Sequence, residues 1–170
     1  VDRPARAIAR VNANAVVLIR AFASSIGAAG SNARSPQLKL FETVAMFGGN
    51  LDIYDLEPIT EANYVCNRLG LDTISAGGTI AALMEIYGIA QATLPDARSA
   101  GERALVADAA EFARACGAAA ADGAEGGTFA PAFGNARVLV PLVGVMARGE
   151  GALGRALASG AQRLAERYGH

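Results

Sequence analysis

The chain has 170 residues, a formal net charge of −1 and an apolar fraction of 52%. These values fit one domain or a piece of a larger protein, and they exclude a disordered tail and a strongly basic nucleic-acid-binding domain. The mean hydropathy of +0.28 is slightly high. We therefore expect another part of a protein to cover some of the surface.

No export signal or membrane-spanning segment is recognisable in the sequence. The longest apolar run, 138–147, is far shorter than the roughly 20 residues that a spanning helix needs. Two cysteines do not make a disulfide framework. These features predict a cytoplasmic protein with no membrane partner and no nucleic-acid partner.

Apolar residues recur at helical spacing, and the alternation typical of strands is missing, which predicts a mainly α fold. The first predicted helix spans about 7–26. The next begins after Asp55, whose side chain can cap it, and ends at Gly70. Its predicted apolar face contains Ile59, Ala62, Cys66 and Leu69.

Further helices are predicted over 79–87, 101–116, 136–148 and 152–168. A loop at 71–78 precedes the first of these, and a glycine-rich connector occupies 117–134. Asn135 is the predicted cap of the helix over 136–148, in which Pro141 is expected to cause a kink. The last helix is predicted to bury one face formed by Leu153, Leu157, Leu164 and Tyr168.

Several short motifs follow one another in a specific order. The segment 38–88 contains FET, GGN, DLEPI, NYVCN, GLDTISAGG and ME, and the segment 133–169 adds ARGEGALGRALASGAQRLA. Together they resemble the middle domain of the aldehyde ferredoxin oxidoreductase family of tungsten- or molybdenum-pterin enzymes. The resemblance implies that 38–170 is a helical middle domain, a fragment of the complete enzyme. A helical segment at 1–37, with only weak similarity to the family, precedes it.

The family's pterin-binding motif, Asp-x-x-Gly-Leu followed by Asp or Cys, matches Asn67, Gly70, Leu71 and Asp72. Asn67 stands where the family has Asp, so an amide oxygen replaces one carboxylate. A pterin edge offers several N–H donors, and the Asp72 carboxylate can accept two parallel hydrogen bonds. The alternative interpretation is an ordinary helix end with a solvated Asp72.

The resemblance also assigns Glu42 to the family position beside the metal, where a glutamate screened from water exchanges protons. Phe41 replaces the family tyrosine before it. The alternative is a surface glutamate at a helix start. In some members a Glu-x-x-His pattern holds an interface metal, but here Glu61 is followed by Tyr64 instead of histidine. We therefore predict no metal ligand in this chain and an exposed Glu61.

By resemblance, the function is oxidation of an aldehyde to a carboxylic acid, with electrons passed to ferredoxin or an electron-transfer subunit. The implied cofactors are a tungsten- or molybdenum-pyranopterin and, in the full enzyme, an iron–sulfur cluster. Such a cluster needs four thiolates, whereas Cys66 and Cys116 fit buried apolar positions. The remainder of the enzyme chain is a further expected partner, and a homo-oligomer stays open.

Two alternatives remain at this point. The chain is a truncated, non-catalytic interaction module or relic of the family, or it is a generic helical domain that resembles the family by chance.

Overall fold

In the computed structural model, residues 41–117 and 129–170 are described, and these contain helices and turns but no β-strand. The mainly α prediction is therefore confirmed. The α-helices are α1 (Leu56–Leu69), α2 (Thr73–Ala92), α3 (Ala100–Ala115), α4 (Leu139–Arg148), α5 (Gly151–Ala158) and α6 (Ala161–Arg167). A π-helical turn, Val44–Gly49, precedes α1, and short 3-10 turns, Pro95–Ala97 and Ala136–Val138, precede α3 and α4. The helix predicted over 7–26 and most of the connector predicted over 117–134 lie outside the described residues.

Helix α2 lies at the centre of the packing, in contact with α3, α5, α6 and the π turn. Helix α4 packs against α1 on one side and α5 on the other. The helices enclose one apolar core. Its largest fully buried side chains are Tyr168, Phe47, Leu51, Ile53, Ile59, Ile80, Leu83, Met84, Leu105, Leu139, Leu142 and Leu157.

Within the described part of the chain, α2 is long and apolar enough to cross a membrane by length and composition alone. The core helix of a soluble protein satisfies the same two criteria. Helix α2 has this composition because it meets several elements at once, so residues around much of its circumference are buried.

Helix α1 begins and ends where local signals predict. The Asp55 carboxylate accepts a hydrogen bond from the Glu57 N–H at 3.1 Å, and Gly70 adopts the left-handed conformation with φ 73°. Cys66 is buried as expected. Leu69 differs from its prediction, because its side chain at the helix end is 46% exposed.

The predicted loop at 71–78 is wrong, since α2 already begins at Thr73 and continues to Ala92 instead of ending at 87. The Asp72 carboxylate caps it by accepting the Ser75 N–H at 2.7 Å. Gly77 and Gly78 do not break the helix. Gly77 is needed there, because a Cβ at this position would lie 2.8 Å from the Cβ of Met46.

The single helix predicted over 152–168 is also wrong, because the structure divides it into α5 and α6. Gly160 lies between them with φ 89°, outside the helical range. The apolar face predicted for this segment is nonetheless confirmed as buried: Leu153, Leu157, Leu164 and Tyr168.

The kink expected at Pro141 depended on one helix over 136–148, and the structure has instead a 3-10 turn followed by a shorter α-helix. The α-helix begins only at Leu139, so Pro141 lies in its first turn, where backbone N–H groups have no intrahelical partner. Asn135 does not cap it, since its side-chain amide donates to the Ala130 carbonyl at 2.9 Å. Helix α3 matches its prediction within one residue and starts with a capping box formed by Ser99 and Glu102.

Candidate functional site

Three parts of the chain that carry predicted site residues meet at one end of the bundle. Phe41, Glu42 and Thr43 are helical and lead directly into the π turn. That turn contacts α1, whose C-terminal end carries Asn67, and α2, whose N-terminal cap is Asp72. The resemblance placed these residues in one site, and the fold brings the segments that carry them together.

Thr43 makes the most direct connection between these segments. Its side chain is fully buried, and its hydroxyl donates to the Asn63 amide oxygen on α1 at 3.1 Å. The same Thr43 oxygen lies 3.4 Å from the Thr73 hydroxyl at the start of α2. One side chain thus connects the residue after Glu42 to the residue after Asp72.

The π turn is also held directly against α2. The Asn50 side-chain amide donates to the Gly77 carbonyl at 3.3 Å. A Cβ on Gly77 would lie 2.9 Å from the Met46 carbonyl oxygen, so only glycine allows this approach of the two backbones. Glu42 therefore lies just before a turn that Met46 and Asn50 hold against α2 at Gly77.

Glu42 itself is exposed, and so is the Phe41 ring, at 55%. The described residues do not screen Glu42 from water. The environment that the family role requires has to come from another part of the protein or from a bound group.

The segment Asn67–Asp72 presents hydrogen-bond acceptors at the surface. Both the Gly70 and Leu71 N–H groups donate to the Cys66 carbonyl, and the following carbonyls at the helix end have no intrahelical donor. The Asn67 side-chain nitrogen donates to the Asn63 carbonyl at 2.9 Å. Asn67 is exposed, and its amide oxygen is a further acceptor. Gly70 has open space where a side chain would be.

Asp72 is exposed, and its carboxylate serves as the cap of α2. The hydrogen bond from the Ser75 N–H, together with those from the Ser75 hydroxyl and the Ile74 N–H, lowers the pKa of Asp72 below its ordinary value. A carboxylate has about four lone-pair sites, so the cap does not exhaust its capacity to accept. At neutral pH the group is a charged acceptor beside the α1 terminus.

Residues 28–170 of this chain match the family model described as "Aldehyde ferredoxin oxidoreductase, domains 2 & 3". The chain belongs to the aldehyde ferredoxin oxidoreductase family. A chance resemblance of a generic helical domain is thereby excluded. The family match begins within the segment 1–37, whose boundary remains a prediction.

Individual relatives agree with this assignment. The chain is 39% identical over 132 residues to a protein of Pyrococcus furiosus named tungsten-containing aldehyde ferredoxin oxidoreductase. Proteins of the same name from Pyrococcus abyssi and Thermococcus kodakarensis are 35% identical over 130 residues and 55% identical over 47 residues. The alignment with the Pyrococcus furiosus protein covers 76% of this chain but only 17% of the length of that protein.

For an aldehyde ferredoxin oxidoreductase, the acceptors at Asn67–Asp72 suit the donor-rich edge of a pterin. The helix-end carbonyls, the Asn67 amide oxygen and the Asp72 carboxylate are all acceptors, and they are accessible. A group that brings N–H donors would satisfy them, whereas a metal cation would find here a single carboxylate. The residues present therefore fit the pterin rather than the metal.

Neither cysteine is in the deprotonated, accessible state that binding a metal or cluster requires. Burial, with a contribution from the nearby Asp72 charge, raises the pKa of the Cys66 thiol to about 11, so it is protonated at neutral pH. Burial also raises the pKa of the Cys116 thiol. Glu61 is exposed as predicted. In the described ranges, no three side chains of His, Cys, Asp or Glu form a group that could hold a metal.

Sequence reasoning missed Thr43 and Asn63. Both are ordinary polar residues within helical stretches, and nothing in their local sequence marks them as partners. The only available signal was position, since Thr43 directly follows Glu42 and Asn63 lies one helical turn before Asn67.

Proposed function

We propose that this chain is the part of a tungsten- or molybdenum-pterin oxidoreductase that holds one pterin and supplies a proton-transferring glutamate. The reaction is the oxidation of an aldehyde to a carboxylic acid, with electrons passed through an iron–sulfur cluster to ferredoxin or an electron-transfer subunit. The relatives named above are tungsten-containing proteins. The same proposal has three further parts. The ligands of the iron–sulfur cluster lie outside this chain, the remainder of the enzyme chain is a partner, and the protein is cytoplasmic.

The observation that carries this proposal is the Thr43 bridge. It joins the segment that contains Glu42 to α1 at Asn63 and to α2 at Thr73, next to Asp72. A proton-transferring group and a pterin-binding segment have to be held at a constant separation for the chemistry to recur at each turnover. The contacts around Thr43 provide such a connection.

The pterin is held by acceptors. The Asp72 carboxylate makes charge-assisted hydrogen bonds with pterin N–H donors, which are stronger than those of neutral acceptors. The Asn67 amide oxygen and the carbonyls at the α1 end add neutral acceptors, and Gly70 lets the ligand approach the backbone closely. Because Asn67 replaces a carboxylate of the family motif, Asp72 is the principal charged contact.

When bound, the metal–pterin group supplies the two-electron oxidation. Glu42 accepts the proton that is released as the aldehyde carbon gains its second oxygen. Closing the site against water raises the pKa of a carboxyl group and brings it towards neutral pH, where proton transfer is efficient. The exposed Phe41 ring beside Glu42 provides an apolar surface for such a closure.

The pterin assignment is tested with Asp72→Asn in the complete protein, compared with Asp72→Ala. Asparagine caps a helix about as well as aspartate, so Asp72→Asn retains the cap and removes the charge. We expect both variants to lose pterin and metal content, measured per polypeptide, while Asp72→Asn keeps a higher melting temperature than Asp72→Ala because it retains the cap. Wild-type pterin and metal content in Asp72→Asn would contradict the proposed contact.

The proton-transfer assignment is tested separately with Glu42→Gln, which preserves the size of the side chain. We expect kcat for aldehyde oxidation to fall by about 10²- to 10⁴-fold, the usual range for loss of a general acid or base. Metal and pterin content stay at the wild-type level. Full activity of Glu42→Gln would remove Glu42 from the mechanism, and an absence of bound metal in the wild-type protein would favour a non-catalytic module.

A further inference from the structure

We propose that Thr43 is a positioning residue: its buried hydroxyl sets where Glu42 stands relative to the pterin-binding segment Asn67–Asp72. This inference rests on the proposed function and adds a residue to it. Thr43 touches neither substrate nor cofactor in this assignment, and it acts through its contacts with Asn63 and Thr73.

Burial and polarity together make the Thr43 contacts specific. The side chain is fully buried, and a buried hydroxyl without a partner is unfavourable. Its contact with the Asn63 amide oxygen therefore constrains the rotamer of Thr43 and the path of the backbone on either side. Glu42 is the neighbouring residue, so the position of its Cα is constrained as well.

The second contact reaches the pterin-binding side. The Thr73 hydroxyl lies 3.4 Å from the Thr43 oxygen, and Thr73 is the first residue of α2 after the cap Asp72. Asn63 lies on α1 one turn before Asn67, whose side chain donates to the Asn63 carbonyl. Thr43 thus contacts neighbours of both ends of the Asn67–Asp72 segment.

The Gly77–Met46 approach cannot replace this connection. It joins Met46 of the π turn to Gly77, four residues further along α2 than Thr73, and it does not involve the segment that carries Glu42. The Thr43 hydroxyl provides the attachment nearest to Glu42. Its loss lets the carboxylate shift while the fold and the acceptors at Asn67–Asp72 remain.

The test compares Thr43→Val with Thr43→Ser in the holoenzyme that contains this chain. Valine keeps the shape and removes the hydroxyl, whereas serine keeps the hydroxyl. A displacement of about 1 Å in a reacting group lowers the rate by up to about 100-fold. We expect kcat of Thr43→Val to fall by about 10- to 100-fold with KM, pterin content and metal content unchanged.

A spectroscopic readout accompanies the kinetics. We expect the electron paramagnetic resonance spectrum of the bound metal to shift in Thr43→Val, because the nearby Glu42 carboxylate moves. Thr43→Ser retains the wild-type spectrum and most of the wild-type kcat. Equal losses in the serine and valine variants would overturn the inference, as would loss of pterin and metal in Thr43→Val.

If Thr43→Val does not fold, Thr73→Val removes the partner hydroxyl from the half-buried α2 side, and we expect a smaller fall in kcat. An unchanged kcat in the folded variant overturns the inference. Glu42→Gln distinguishes a failure of the Thr43 inference from a failure of the proposed function. If Glu42→Gln is inactive and the threonine variants are fully active, the inference fails and the proposed function stands. If Glu42→Gln is fully active, the Glu42 assignment fails and the inference fails with it.

Discussion

The two ends of helix α2 are built from different kinds of contact. At its N-terminal end, polar side chains meet near the surface: Asp72 caps the helix, and Thr73 lies beside the buried Thr43. Past its C-terminal end, the first turn of α3 approaches the backbone of Tyr168, the residue that follows α6. There Gly101 packs directly on the Tyr168 carbonyl, and the Tyr168 hydroxyl donates to Asp108 at 2.8 Å.

The two ends of α2 therefore differ in what they can do: the N-terminal end can bind a ligand, and the C-terminal end stabilises the fold. The site end presents acceptors that only water or a ligand satisfies, and exposed polar groups contribute little to the free energy of unfolding. The opposite end satisfies its groups internally and leaves no space for a side chain at Gly101. Substitutions at the two ends should therefore differ in whether they affect stability or ligand binding.

The largest expected effect is that of Gly101→Ala. The new Cβ would fall well inside van der Waals contact with the Tyr168 carbonyl, and backbone atoms cannot rotate away as a flexible side chain can. We expect a loss of about 3 kcal/mol or more in the free energy of unfolding, measured by urea denaturation.

Gly88→Ala is the matched control for that experiment. Gly88 is an exposed α2 residue with nothing within 4 Å of a Cβ. This substitution should stabilise the protein by about 0.5–1 kcal/mol, as expected for Gly→Ala in a helix. Similar stability of the two variants would contradict the close approach of Gly101 to the Tyr168 backbone.

Gly77→Ala tests the corresponding close approach at the site end. Its Cβ would lie 2.8 Å from the Met46 Cβ, so the π turn must move away from α2 at a cost of about 1–3 kcal/mol. Gly78→Ala, next to it, meets only the flexible end of Met46 at 3.9 Å. Thermal unfolding should rank Gly78→Ala well above Gly77→Ala, and the reverse order would show that the turn does not rest on Gly77.

Tyr168→Phe removes the hydroxyl that donates to the half-buried Asp108 carboxylate. Hydrogen bonds to charged groups contribute about 1.5–3 kcal/mol, so we expect a loss near the lower limit, because Arg167 also lies 3.8 Å from Asp108. Urea denaturation at pH 7 measures this loss. An unchanged unfolding midpoint would show that the hydroxyl contributes nothing.

The same variant has a signature in alkaline solution. Burial, then the hydrogen bond to Asp108, raises the pKa of Tyr168 above its ordinary value of about 10. The folded state holds this proton more tightly than the unfolded state, so stability falls as pH rises above about 10. Cys66 adds a similar fall between its ordinary pKa of 9.0 and about 11. Tyr168→Phe should lose the Tyr168 contribution to this fall in stability and keep the contributions of Cys66 and Cys116, whose pKa values are also raised by burial.

The smallest expected effect on stability is that of Asp72→Ala, which removes the α2 cap and costs about 1 kcal/mol at pH 7. Asp72→Asn should cost less, because the amide oxygen also accepts from the Ser75 N–H. The lowered pKa of Asp72 makes the charged cap fully effective above the ordinary pKa of about 3.9 and lost as pH falls below it. Acid titration of stability should therefore be flatter in Asp72→Asn than in the wild type.

Helix α1 shows which structural features can be predicted from local sequence signals. The cap at Asp55 and the left-handed Gly70 could both be predicted, because each depends on residues within one helical turn. The burial of Tyr168 also followed from helical spacing. The start of α2 was missed because Gly77 and Gly78 resemble a loop unless the neighbouring Met46 is known. The division at Gly160 was missed for a similar reason, since the apolar face continues across it.

By itself, the sequence determined the helical class, the ends of α1, the buried faces apart from Leu69, and the family motifs. Capping, helical spacing and short motifs all depend on near neighbours. Only the tertiary structure decided how Glu42 is related to Asn67–Asp72, the segment that we propose binds the pterin. That relation runs through Thr43, whose partners lie 20 and 30 residues away along the chain. Contacts over such separations form because the packing of α1, α2 and the π turn brings them together, and no local pattern encodes them.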